Sequence, residues 1–154
     1  MRGANRPDRF RSALAARTGV AVSADHDTAV VRQLLELIGR LEVDAALELV
    51  TDDLVLELPF RGDGGPRRME GEDAKGFVRA MPKLFSELLF RDVTVHGRLP
   101  SGPVVAEYWS DGITRTGRAY ANAYVGFFEL RDGRIASWRE YFDPTVVAAA
   151  FSLP

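Results

Sequence analysis

The stretch that most constrains the fold is Ala119 to Pro144, AYANAYVGFFELRDGRIASWREYFDP. It reads as two long strands joined by a tight turn at Asp132-Gly133, because Asp-Gly supplies the left-handed backbone that hairpin loops need. Arg131-Asp132-Gly133 fits a three-residue loop, a type I turn followed by Gly133 as a bulge. In that register Leu130 faces Arg134, Tyr124 faces Glu140, Gly126 faces Trp138 and Asn122 faces Phe142. Residues paired across strands share a face, so one face carries Tyr120, Asn122, Tyr124, Trp138, Glu140 and Phe142. A two-residue turn would instead set Glu140 against Val125 and send Tyr124 to the other side. A glutamate among aromatic residues in a strand is either paired, turned to water, or lining a pocket where burial raises its pKa and suits it to acid/base work.

The 154 residues suffice for one domain with a true core. Hydrophobic residues make up 46% and charged residues 27%, ordinary for a soluble domain. A formal net charge of -2 offers no field for nucleic acid. The chain has no cysteine, which excludes disulfides and thiolate metal sites. Its two histidines, His26 and His96, lack ligand spacing, so no metal site is expected. No apolar run approaches the ~20 residues that span a bilayer. Neither G-x-S-x-G nor a phosphate loop is present; Gly62-Asp63-Gly64-Gly65 runs into Pro66 and reads as a flexible loop. The opening MRGANRPDRFRSALAARTG holds five arginines and one acid and has no apolar core of a secretory signal. Residues 1–25 are expected to form a flexible basic extension, and 26–154 the folded domain, in a cytoplasmic protein.

Asp25 and Asp27 are candidate caps for a helix over about residues 27 to 41, whose apolar stripe is Val30, Leu34, Leu37, Ile38 and Leu41. A shorter helix over Val43 to Val50 follows. Leu54 to Pro59 alternates as a strand with Leu54, Leu56 and Leu58 on one face. Phe60 to Gly71 is read as a loop. A third helix, about Glu72 to Ser86, contains Pro82 and should kink or split near Ala80-Met81. Leu89 to Arg98 and Pro103 to Asp111 are two further strands, and 112 to 118 is a long connection before the terminal hairpin. Helices followed by a four-strand meander argue an α+β class, with helices on one face of a curved, mostly antiparallel sheet.

This element order, Leu58-Pro59-Phe60 after the first strand, Glu70-Gly71 before the kinked helix, and Arg131-Asp132-Gly133-Arg134-Ile135 followed by Trp138 to Pro144 resemble the nuclear transport factor 2-like superfamily. Within it the resemblance is to the SnoaL-like group, which includes polyketide cyclases and ketosteroid-isomerase-related proteins; the phenazine-biosynthesis A/B proteins are similar too. The resemblance covers about residues 26 to 147. It implies a cone in which a curved sheet wraps the long helices around a deep apolar pocket, and acid/base chemistry without a metal or organic cofactor. The base of SnoaL-like cyclases, a carboxylate on the last strand, falls on Glu140. Cyclases carry Asp there, and the Glu of this chain is more like the phenazine-type members. The epoxide-hydrolase branch needs an Arg-x-Asp that Val104 to Asp111 lacks. The dehydratase branch needs pocket histidines, and neither His26 nor His96 is well placed. The Tyr-Asp oxyanion hole of ketosteroid isomerase has no residue-by-residue match, although Tyr120 or Tyr124 supplies a phenol by analogy.

Glu140 is therefore the candidate acid/base, with Tyr120, Asn122, Tyr124, Trp138, Phe60 and Trp109 as candidate ligand-binding residues. Gly126 is expected to leave room for the Trp138 indole. Glu107 and Trp109 share a face of their strand. Either that face is concave, so that Trp109 walls the pocket and Glu107 is a second carboxylate, or it is convex and forms a dimer interface. Arg67 and Arg68 on the loop are read as solvated. The expected partners are a small apolar or carbonyl-containing ligand and a second copy of the chain, with no nucleic acid and no membrane. The expected activity is isomerase- or cyclase-type proton transfer without a cofactor; the alternative is a non-catalytic binding or assembly protein of the same fold.

Overall fold

The computed structural model describes residues 8–98, 100 and 102–152, with side chains from residue 24 onward. Helix α1 (Asp8–Gly39) is followed by α2 (Val43–Leu47), strands β1 (Val50–Glu57) and β2 (Arg68–Glu70), helices α3 (Gly71–Arg79) and α4 (Met81–Leu84), strands β3 (Phe85–Arg98), β4 (Val104–Thr114), β5 (Ala119–Arg131) and β6 (Arg134–Phe142), and helix α5 (Pro144–Phe151). The strands form one curved mixed sheet in the order β2-β1-β6-β5-β4-β3. Only the β1–β6 pairing is parallel. The α+β class and the four-strand meander expected from the sequence are present.

Helix α1 presents Val30, Val31, Leu34, Leu35 and Ile38 to the core, the three-and-four spacing of one helical stripe. They meet Leu54, Leu56 and Leu58, which alternate inward as the period of a strand requires. Several boundaries differ from expectation. The helix does not start at Asp25 or Asp27 but runs back to Asp8. Asp27 is instead buried inside it, where the Arg98 guanidinium bonds its carboxylate at 3.1 Å. Residues 1–7 of the expected basic extension lie outside the described residues. Strand β1 starts at Val50 and so shortens α2, and Arg68–Glu70 inside the expected loop pairs with β1 as a short edge strand. Pro82 splits the third helix as expected, at Ala80.

Helix α5 was not expected. Asp143 caps it by accepting from the Thr145 backbone N–H at 2.8 Å, and Pro144 sits in its first turn, where a missing N–H costs nothing.

The hairpin turn also differs. Arg131 pairs with Arg134, leaving a two-residue loop in which Asp132 (φ 53°) and Gly133 (φ 77°) are both left-handed. A one-residue bulge then falls between the Leu130–Ile135 and Glu129–Ser137 pairs. The shorter loop reverses the facing of β6 and the bulge reverses it again. Tyr124 pairs with Phe142 and Gly126 with Glu140, rather than Tyr124 with Glu140. The face itself is the expected one: Tyr120, Asn122, Tyr124, Trp138, Glu140 and Phe142 all point to the concave side.

Candidate active site on the concave face

Strands β4, β5 and β6 are in direct register, so Tyr108, Tyr124 and Phe142 line up across the sheet, as do Ala106, Gly126 and Glu140. Tyr108 is fully buried, and its hydroxyl donates a hydrogen bond to Glu140 Oε1. It stacks on Tyr124 with ring centroids 5.0 Å apart, and Phe90 closes on both rings. Burial raises the Glu140 pKa to about 7, because desolvation penalises its anion more than the Tyr108 bond favours it. The Trp138 indole Nε1 is buried without a well-formed hydrogen bond, yet is near enough to favour the Glu140 anion slightly. Glu140 forms no ion pair with any described residue. Burial also pushes the Tyr108 phenol well up, with the Glu140 charge adding to it, so the phenol stays a neutral donor.

Beside this pair runs a string of hydroxyls. Tyr120 and Tyr124 share a hydrogen bond of 2.7 Å, and Tyr124 and Ser110 one of 3.1 Å. Their hydroxyls bring three protons to these two links, so one proton is left free to face a ligand. Asn122 is fully engaged: its Nδ2 donates to Tyr120 at 3.3 Å and to the Asp143 carbonyl at 3.0 Å, and its Oδ1 accepts from the Ala123 and Asp143 backbone N–H groups. It fixes Tyr120 and the start of α5.

Three of the sequence-based assignments are corrected, for Trp109, Phe60 and Gly126, and the open one for Glu107 is resolved. Trp109 is on the convex face and 41% exposed, because β4 turns Tyr108 and Ser110 inward and its neighbours outward. Glu107 lies on that outer face too, bonded to His96 at 2.8 Å, and is no second carboxylate for Glu140. Phe60 is 55% exposed and packs edge-on against Tyr141, at 5.2 Å, on the face away from Glu140. Gly126 does leave room, but for the Phe128 ring and the Tyr108 hydroxyl rather than for Trp138. Tyr108 and Ser110 were missed. Their alternation with Glu107 and Trp109 was visible, but the inward set depended on the turn into β5. That turn is short, closed by Thr114 N–H to the Arg118 carbonyl at 2.9 Å, with Gly117 left-handed at φ 83°.

The described surface has hollows away from Glu140. One, of about 390 Å³, is lined by Leu88, Leu89, Gly112, Ile113, Tyr120 and Ala121. Another, of about 270 Å³, lies between α1 and β3 beside Leu35, Gly39, Phe90 and Val93. Among the described residues no three His, Asp or Glu side chains cluster as a metal would require, and no described helix is long and apolar enough to cross a membrane.

The family model of the SnoaL-like domain matches residues 31–138. The uncharacterized protein YesE of Bacillus subtilis is 32% identical over 123 residues, 79% of this chain and 84% of YesE. A solved structure from Bacillus subtilis, provisionally described as an isomerase, aligns with a TM-score of 0.76 at 30% identity, covering 82% of this chain and 93% of its own. Another, from Xanthomonas campestris and provisionally described as a polyketide cyclase, aligns with a TM-score of 0.70 at 25% identity, covering 84% and 98% of the two chains. The register of the meander, the helices packed inside its curve and these matches agree: the chain belongs to the SnoaL-like domain family and has the nuclear transport factor 2-like fold.

Proposed function

We propose that the protein is a cofactor-independent isomerase- or cyclase-type enzyme in which Glu140 moves a proton on a small carbonyl compound. The observation that carries this reading is a half-buried carboxyl that is bonded to a phenol and not to a cation. With a pKa of about 7, both of its protonation states are populated at neutral pH. As the anion, Glu140 takes a proton from the carbon next to a carbonyl, and the C–H electron pair moves to the carbonyl oxygen as an enolate. The free proton of the Tyr120–Tyr124–Ser110 string is a donor for that oxygen. Protonated Glu140 then returns the proton to a conjugated carbon of the dienolate, or the enolate carbon attacks a second carbonyl carbon to close a ring and the resulting alkoxide takes the proton from Glu140. Tyr120 and Tyr124 touch the ligand, Asn122 holds Tyr120, and Trp138 walls the site. A second copy on the convex face, over Leu89, Trp109 and Ile113, belongs to the same proposal.

The test is deuterium uptake next to the carbonyl, followed by proton NMR in D2O over a panel of cyclic and acyclic ketones. Glu140→Gln should slow uptake by about 10² or more while ligand-detected NMR still shows binding. Equal uptake by both proteins contradicts the reading. A non-catalytic binding or assembly protein is the second reading, favoured by hollows that lie away from Glu140. Under it, Glu140→Gln changes affinity or nothing, and no ketone exchanges.

A further inference from the structure

The strand register lays the concave face out in rows. One row is Val104, Phe128, Trp138 and Leu56, all buried. The next is Ala106, Gly126 and Glu140, and the one after it Tyr108, Tyr124 and Phe142. In the middle row only Glu140 has a long side chain, so the larger residues lean in from both sides. Gly126 shows it: a Cβ there would meet two Phe128 ring carbons at 2.6 Å and 2.7 Å and the Tyr108 hydroxyl at 3.4 Å. Glu140 itself is half-buried, within reach of a ligand.

From one side Tyr108 donates its O–H to Glu140 Oε1. On the other side stands Trp138, two residues before Glu140 on β6 and therefore on the same face. Trp138 is 4% exposed, and its Nε1 has no hydrogen-bond partner. A buried N–H left unpaired is costly, and folded proteins rarely hold one without a use for it. The indole is not free to turn elsewhere. The Phe128 ring lies 5.8 Å from it at a 30° tilt, and Phe128 and Leu56 beside it offer only carbon. Toward the middle row the N–H approaches Glu140 and Tyr108 closely enough to favour the ionised form of each.

No other charge competes for this carboxyl. Among the described residues the titratable groups coupled to Glu140 are the phenols of Tyr108, Tyr120 and Tyr124. Helix α1 and strand β1 turn valine, leucine and isoleucine inward, and α5 has no charged residue. The buried acid of α1, Asp27, is held by Arg98 at 3.1 Å, and Lys75 of α3 by Asp52 at 3.0 Å.

We infer that Trp138 is a positioning residue whose indole N–H is reserved for the Glu140 carboxylate, so that Tyr108 and Trp138 grip the anion from the two rows beside it. The neutral carboxyl needs only the Tyr108 bond; the indole bond closes when the proton leaves, because a charged acceptor makes the stronger bond. The grip favours the anion and fixes its orientation while it acts as a base. Its catalytic meaning rests on the acid/base reading above, but the contact does not.

The test uses the full chain carrying Trp109→Phe, a change on the convex face that leaves Trp138 as the one indole. Nitrogen-15 NMR from pH 3 to 9 then follows a single indole N–H. Its proton should move downfield as pH rises, with the same midpoint as the Glu140 carboxyl, and should stay in place once Glu140→Gln is added. Trp138→Phe should raise the carboxyl midpoint by about half a pH unit or more. An indole proton that ignores the Glu140 midpoint, or that moves alike with Glu140→Gln present, overturns the inference. So does an unmoved carboxyl midpoint in folded Trp138→Phe. If that variant does not fold, the indole signal of the Trp109→Phe chain decides alone. The two readings fail separately. A carboxyl midpoint near the ~4.3 of a free glutamate sinks the acid/base reading, yet an indole proton that tracks it upholds the grip. An indole proton blind to Glu140 sinks the grip even where ketones exchange.

Discussion

Replacing Glu140 with glutamine is expected to make the protein more stable at pH 8 and to change little at pH 4. In the folded chain the carboxyl titrates at about 7, against ~4.3 for a glutamate in an unfolded chain. Below both values it is protonated in both states and has no effect. Between them the unfolded state has released its proton and the folded state has not, so stability falls as pH rises. Above 7 the loss is complete and constant, on the order of 4 kcal/mol. Glutamine is the neutral isostere. Its Oε1 accepts from the Tyr108 hydroxyl as the carboxyl does, and it has no charge to desolvate. Urea unfolding of both proteins at pH 4, 6 and 8 should show the gap opening between the first and last. A gap that is the same at every pH means that Glu140 is solvated. The same substitution abolishes the proposed proton transfer, so stability and activity trade against each other at one residue.

Gly126→Ala should cost about 1–3 kcal/mol, the usual penalty of overpacking a well-filled interior. A Cβ there would lie 2.6 Å and 2.7 Å from two Phe128 ring carbons and 3.4 Å from the Tyr108 hydroxyl. Phe128 is fully buried and packed on Trp138, so the ring has nowhere to retreat. Because Gly126 pairs directly with Glu140, the displacement should also disturb the Tyr108–Glu140 bond. Thermal melting measures the first effect, and the midpoint of Glu140 titration the second. A variant as stable as the parent shows that the ring can move aside.

The concave face was legible in the sequence because alternation is local: Tyr120, Asn122 and Tyr124 must share a side whatever the turn does. The pairing across the hairpin was not. It depends on a two-residue loop and a bulge near Ala136, and a bulge is set by how strands twist against the helices, not by any motif in Ser137 or Ala136. Two one-residue shifts added up to a slip of two residues, so Glu140 came out on the expected side opposite an unexpected partner. Tyr108 was hidden because its side is fixed only once the Arg118 turn is closed. Helix α5 did carry a signal, Asp143-Pro144-Thr145, a cap followed by a first-turn proline. Phe60 and Trp109 were placed by residue type, since large aromatics suit a pocket; here they cover the outer face.

The most direct measurement is a carbon-13 NMR titration of the Glu140 side-chain carboxyl, assigned by its loss in Glu140→Gln. A midpoint near pH 7, moved higher by Tyr108→Phe, is the expected result, since the tyrosine bond favours the anion. A midpoint near the ~4.3 of a free glutamate, unmoved by Tyr108→Phe, would contradict a desolvated carboxyl on the concave face and the proton transfer built on it.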